Sequence, residues 1–195
     1  MHGLINRSIQ SFVTHTYGLE RWLHVVEDAR LSFSDFEAML IYEDRLTTAV
    51  LQALCLDLNR PQCEVLEDIG TFLVSNPNVE SLRRLLRFGG ETYYDFLHSL
   101  DELPDRARLA VSDLHLPPMD LLVDKDGRFQ LICGHGLPGF GWVMVGILRA
   151  MADDYGALVF LEHQGESDDG EVIAITLVEA DFARGRDFDL GARAG

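Results

Sequence analysis

Residues 117–133 read PPMDLLVDKDGRFQLIC, and the change of pattern inside this stretch sets the fold class. Pro117 and Pro118 end whatever helix precedes them, because proline lacks the backbone donor a helix needs. Residues 119–123 and 129–133 are then two short, largely apolar runs. Asp124-Lys125-Asp126-Gly127 separates them, a turn cluster that carries the Asp-Gly hairpin pair. The spacing predicts two paired antiparallel strands at this point and none before it.

Upstream, the periodicity is helical. Leu4, Ile5, Ile9, Phe12 and Val13 recur on one face of a helix over residues 3–16, and Gly18 supplies its stop. Further helices are predicted over 20–29, 42–58, 62–74, 79–88 and 91–111, with a capping pattern at 32–36 ahead of Glu37. Pro61, Asn76-Pro77 and Gly89-Gly90 punctuate the series. Downstream, residues 142–155 form a helix apolar on most faces, and 157–162 and 171–178 are two more strands around an acidic turn. The expected architecture is α+β: a helical N-terminal part packed on a four-stranded, mostly antiparallel sheet with one inserted helix. Residues 1–180 are expected to form one domain, and 181–195, which lack any periodic pattern, an irregular tail.

A chain of 195 residues that is 47% hydrophobic can bury one sizeable core but not two comfortable domains. The net charge of −16 opposes binding to nucleic acid or to an anionic membrane surface. There is neither a run of about twenty apolar residues nor a leader pattern at the start, so a cytoplasmic protein is expected. Cys55, Cys63 and Cys133 are odd in number and lack metal-type spacing, which argues for free thiols. No nucleophile, base and orienting group converge, and Gly-x-Ser-x-Gly is missing, so an enzyme is not expected. One motif competes with this view. Gly134-His135-Gly136-Leu137-Pro138-Gly139 fits the dinucleotide pattern G-x-G-x-x-G between a strand and a helix. The largely helical upstream region supplies no parallel strands to complete such a site.

Several segments carry a family resemblance in their order and spacing. They are the opening Met1-His2-Gly3-Leu4-Ile5-Asn6, Tyr17-Gly18 with Trp22, Ile41-Tyr42-Glu43-Asp44, and Leu66-Glu67-Asp68-Ile69-Gly70. They continue with Phe96-Leu97-His98-Ser99-Leu100-Asp101-Glu102-Leu103 and Leu116-Pro117-Pro118. Together they resemble the haem-NO/O2-binding (H-NOX, HNOB) sensor-domain family over almost the whole chain. The resemblance implies a haem held between helices and sheet, with a histidine on a signal helix binding the iron and a diatomic gas on the other side. It further implies that gas binding moves this helix and regulates a partner enzyme in trans, such as a histidine kinase or a cyclic-dinucleotide enzyme.

This chain departs from the family at the two decisive places. The position of the axial histidine is Pro104, which has no atom to bind iron. The family's Tyr-x-Ser-x-Arg grip on the haem propionates aligns with Cys133, His135 and Leu137, so its arginine is absent. By family position the pocket is lined by Ile5, Leu97, Pro104, Pro118, Trp142 and Gly146, with Trp142 in place of a smaller or phenolic distal group. The same residues also read as plain core, with Trp142 filling the space. Pro104 either fixes a bend in the signal helix or opens a fresh segment at its first position. Phe96, Leu97, Leu100 and Leu103 are expected to be buried there, and Asp101, Glu102, Asp105, Arg106 and Arg108 solvated. Among other iron or metal ligands, His98 points away from the ligand face, while Cys133 and His135, two apart on a strand, share a face. The readings left standing are a sensor with haem or with no cofactor, and a scaffold that acts by protein contact alone.

Overall fold

His2 starts the first helix, α1 (Gly3–Tyr17), by accepting the Leu4 N–H on its Nδ1, and Gly18 ends it at φ +95°. Helix α2 (Leu19–Asp28) follows at once, and α3 (Asp44–Leu58) and α4 (Gln62–Ser75) complete a helical half. The computed structural model describes residues 1–77, 80–125 and 127–188. Val79 of the expected fifth helix, Asp126 of the hairpin turn and residues 189–195 of the expected tail lie outside them.

The capping pattern at 32–36 starts no helix. Its backbone bonds go to tertiary partners instead, as buried groups require. Gln10 Oε1 accepts from the Phe36 N–H, Trp22 Nε1 donates to the Ser34 carbonyl, and Phe33, Phe36 and Tyr42 pack edge to face. Phe36 and Trp22 are thereby almost wholly buried in the core of the helical half.

The second half contains α5 (Glu80–Arg87), α6 (Tyr93–His98), α7 (Leu103–Ala110), β1 (Met119–Val123), β2 (Phe129–Cys133), α8 (Phe140–Tyr155), β3 (Leu158–Ser167) and β4 (Gly170–Glu179). The strands form one antiparallel sheet in the order β1-β2-β4-β3. Leu121, Leu131 and Ile173 stand in register across it, and the inner face, with Phe129, Leu131, Ile173 and Ile175 buried, packs on α8. Helix α8 lies between the sheet and α4. Its seam with α4 is a backbone contact: a Cβ on Gly146 would sit 2.0 Å from the Glu67 carbonyl, and one on Gly70 would sit 2.0 Å from the Val143 carbonyl.

The single helix expected over 91–111 is two. Thr92 and Asp95 close a capping box at the start of α6. The chain then passes through tight turns, with Leu100 N–H donating to Leu97 and Leu103 N–H to Leu100, before α7 begins. Pro104 lies in the first turn of α7, where its missing donor is not needed. Phe96, Leu97, Leu100 and Leu103 are buried as their phase requires, and Asp101, Glu102, Asp105 and Arg108 are exposed. Arg106 differs, being half-buried with its guanidinium donating to the Ser99 carbonyl.

Beyond β4 the described chain has no regular element, yet it is docked. Ala183 N–H donates to Gly156 and Arg186 N–H to Asp154. The Phe188 ring lies under the guanidinium groups of Arg83 and Arg87 on α5. Arg83 also pairs at 2.8 Å with the fully buried Asp154 at the end of α8.

Candidate functional site: two hollows beside helix α8

The larger hollow, of about 600 Å³, lies where α1, α4, α5, α7 and α8 meet. Helix α8 turns Phe140, Val143, Met144 and Ile147 toward it, the i, i+3, i+4, i+7 face. Helix α7 contributes Leu103, Ala107 and Ala110 with the same phase, and α1 contributes Leu4, Ile5 and Ser8. The walls are overwhelmingly aliphatic. Their hydroxyls at the α1 end are already engaged: Thr47 donates to Asn6 Oδ1 at 2.7 Å, and Ser8 donates to the Leu4 carbonyl. The only charged side chain on the described lining is Arg84 of α5. Its Nη2 lies 3.4 Å from Glu80, and its Nε is buried without a hydrogen-bond partner.

The smaller hollow, of about 350 Å³, lies on the other side of the same wall and is polar. Glu171 organises it, accepting the Gly139 N–H at 2.8 Å with one oxygen and meeting His163 Nε2 at 3.0 Å with the other. His163 Nδ1 accepts the Gly165 N–H, so the ring proton is on Nε2 and points at the carboxylate. Trp142 stacks on this imidazole at 4.0 Å with ring planes 6° apart.

That geometry corrects the dinucleotide reading of residues 134–139. Every strand pair is antiparallel, and the Gly139 N–H that would face a phosphate is taken by a carboxylate. The glycines have local reasons: a Cβ on Gly134 would strike the Pro118 ring at 2.6 Å, and Gly139 has φ +82°.

The six pocket positions inferred from the family resemblance separate in the structure. Ile5 lines the large cavity. Leu97 is wholly buried in the core, Pro118 is exposed against Gly134, and Gly146 forms the seam with α4. Pro104 is half-buried in the first turn of α7 beside Leu103, which does line the cavity. Trp142 does not fill the cavity; it faces the smaller hollow.

The other ligand candidates are scattered. His98 is exposed, with its ring against Tyr94. Strand β2 ends at Cys133, so the shared face with His135 is lost as the chain turns. Cys133 is buried, and burial, then the nearby Glu171 carboxylate, push its thiol up to about 12, whereas His135 is exposed and bonded to the Asp168 carbonyl. No group of three or more His, Cys, Asp or Glu able to hold a metal exists among the described residues.

Haem iron is held in proteins by imidazole, thiolate, phenolate or a thioether paired with imidazole. No His, Cys or Tyr stands on the described lining, which offers only the thioethers of Met1 and Met144. The residues around this cavity therefore do not fit an iron-held haem. The sequence reading missed Arg84, His163 and Glu171. Arg84 stands beside Arg83 between the apolar Leu82 and Leu85-Leu86, and nothing in that pattern singles it out.

Residues 2–163 match the Haem-NO-binding (HNOB) family. The chain is 24% identical over 183 residues to soluble guanylate cyclase 89Db of Drosophila melanogaster, which covers 92% of this chain and 27% of that protein. It is 21% identical over 183 residues to soluble guanylate cyclase 89Da of the same fly, with the same coverage. The chain thus spans about a quarter (27%) of the length of these relatives.

The fold superposes on an H-NOX protein from S. oneidensis in the Fe(II)NO state with a TM-score of 0.75 at 16% identity, covering 91% of this chain and 99% of that one. For the unliganded Fe(II) H-NOX protein from K. algicida the TM-score is 0.75 at 17% identity, covering 90% and 95%. No helix among the described residues is long and apolar enough to cross a membrane. With the matched span and the fold in agreement, the chain belongs to the Haem-NO-binding, or H-NOX, family of haem-based NO/O2 sensor domains.

Proposed function

We propose that this chain is a cytoplasmic, non-enzymatic H-NOX sensor domain, formed by residues 1–180, whose chamber no longer holds haem through iron. It signals in trans to a partner enzyme, of the guanylate cyclase kind on the strength of its relatives or, by the wider family resemblance, a histidine kinase or cyclic-dinucleotide enzyme. The observation that carries the reading is a chamber kept open between α1, α7 and α8 with Pro104, not histidine, at the start of α7. An open chamber supports ligand sensing over a scaffold that acts by protein contact alone, since a scaffold has no use for an unfilled interior.

Haem titration followed at the Soret band tests this on the wild type and on Pro104→His. The wild type is expected to leave haem unbound or weakly bound, because apolar enclosure without an axial bond gives little hold on iron. Pro104→His is expected to gain a Soret band. It should cost less than about 1 kcal/mol of stability, since the first helical turn tolerates either residue. Tight, stoichiometric haem binding by the wild type overturns the proposal. A folded Pro104→His that still binds none moves the function to protein contact.

A further inference from the structure

We infer that the large cavity binds an amphiphile with an aliphatic body and a carboxylate head, the head held by Arg84. The inference rests on the reading that this chamber is not an iron-haem site. Its volume of about 600 Å³ falls in the range of small-molecule pockets. The body of the ligand follows from the walls. Ile5, Leu73, Leu103, Ala107 and Ile147 offer methyl and methylene surface only, and an interior left unfilled forfeits the dispersion contacts that close packing supplies. An aliphatic chain restores them without asking for a hydrogen bond.

The head follows from the single charge. Arg84 pairs with Glu80 at 3.4 Å, and that carboxylate is half-exposed, so the pair is weak and screened. Its buried Nε has no acceptor, and a guanidinium presents a planar fork of N–H donors matched to a carboxylate. Ser81, one turn earlier on α5, lines the same end and adds a hydroxyl. At the opposite end the Thr47 and Ser8 hydroxyls already donate within the protein, so nothing there recognises a second polar group. A sugar or nucleotide would bury hydroxyls unpaired. An ammonium would meet a cation. With the α-ammonium of Met1, also on the lining, already paired with Asp44 and the Tyr42 carbonyl, one guanidinium suits a monoanionic carboxylate better than a phosphate.

The probe is cis-parinaric acid, a fluorescent polyene fatty acid, titrated into the full chain and displaced with lauric acid or with 1-dodecanol. One saturable site per chain is expected, with lauric acid displacing the probe about tenfold better than the alcohol, the scale of one charge-assisted contact. Arg84→Met, which keeps the aliphatic stem, should bring acid and alcohol to parity, whereas Arg84→Lys should keep a preference for the acid. Ser8→Trp on α1 and Leu73→Trp on α4 fill the chamber from two elements, and either one, shown folded by circular dichroism, should weaken both ligands.

Absence of saturable binding, an acid preference that survives Arg84→Met, or binding indifferent to both tryptophans overturns the inference. Haem is titrated in parallel. A tight Soret complex in the wild type overturns the reading of the chamber and this inference with it, whereas binding of neither haem nor probe overturns the ligand class alone.

Discussion

The two hollows beside α8 share Leu66, Leu137, Pro138 and Gly139 as a common wall, and they contrast in chemistry. In the smaller one the polar groups have found one another: Glu171 is held by Gly139 and His163, and His163 by Gly165 and the face of Trp142. In the larger one the walls are aliphatic and meet no filling, and its one cation is poorly matched. The side rich in histidine, acid and glycine, which attracts attention in the sequence, is self-sufficient. The side that reads as ordinary core holds the vacancy. The reactive side chains cluster where their partners are already met, and the open volume lies where the walls are apolar.

The largest effect is expected at the α4–α8 seam. Gly146→Val places branched carbon where the Glu67 carbonyl stands 2.0 Å away, with backbone on both sides and nothing flexible to yield. A loss of about 3 kcal/mol is expected from overpacking, read from the urea midpoint; an unchanged midpoint means that the seam can yield. On the polar side, His163→Ala removes the donor to Glu171 and uncovers the Trp142 ring. It should cost about 1 kcal/mol, the penalty of leaving a partly buried acceptor short of a partner. Equal stability of mutant and parent in a thermal melt would show that water serves the carboxylate as well as imidazole does. The mildest test contrasts void with core. Ala107→Leu adds methylenes facing the large cavity and should be neutral or stabilising by up to about 1 kcal/mol. Ala150→Leu, in the filled core, should cost about 1–3 kcal/mol. Equal costs for the two would mean the cavity is closed in solution.

The architecture was legible where chemistry is local. The Asp-Gly turn and the prolines before it placed β1 and β2 at their observed bounds, and helical periodicity located the buried Ile9, Phe12 and Val13 of α1 and the buried Phe96, Leu97, Leu100 and Leu103. The break between α6 and α7 was half legible: Pro104 gave both a bend and a fresh start as options, and the turn bonds at Leu100 and Leu103 select the second. Residues 32–36 misled because Gln10 and Trp22, remote in sequence, take the backbone groups that a helix would have used.

The site was less legible than the fold. Periodicity says that Leu103 and Ala107 face inward, but not whether another side chain or empty space meets them. Trp142 was placed at the chamber by family position. On α8, however, the cavity face runs through Phe140, Val143, Met144 and Ile147, and Trp142 lies off that face against His163 on β3. Partners twenty residues on leave no trace in a local pattern.

Helix α5 has two working sides. Arg83 and Arg87, about one turn apart, hold Asp154 and the Phe188 ring of the docked segment beyond β4, while Arg84, about 100° from Arg83 and about 60° from Arg87 on the helix, lines the large cavity. A helix of eight residues is a short rod, so a tilt that moved Arg84 would carry Arg83 and Arg87 with it. One short helix thus borders both the large cavity and the docked segment beyond β4.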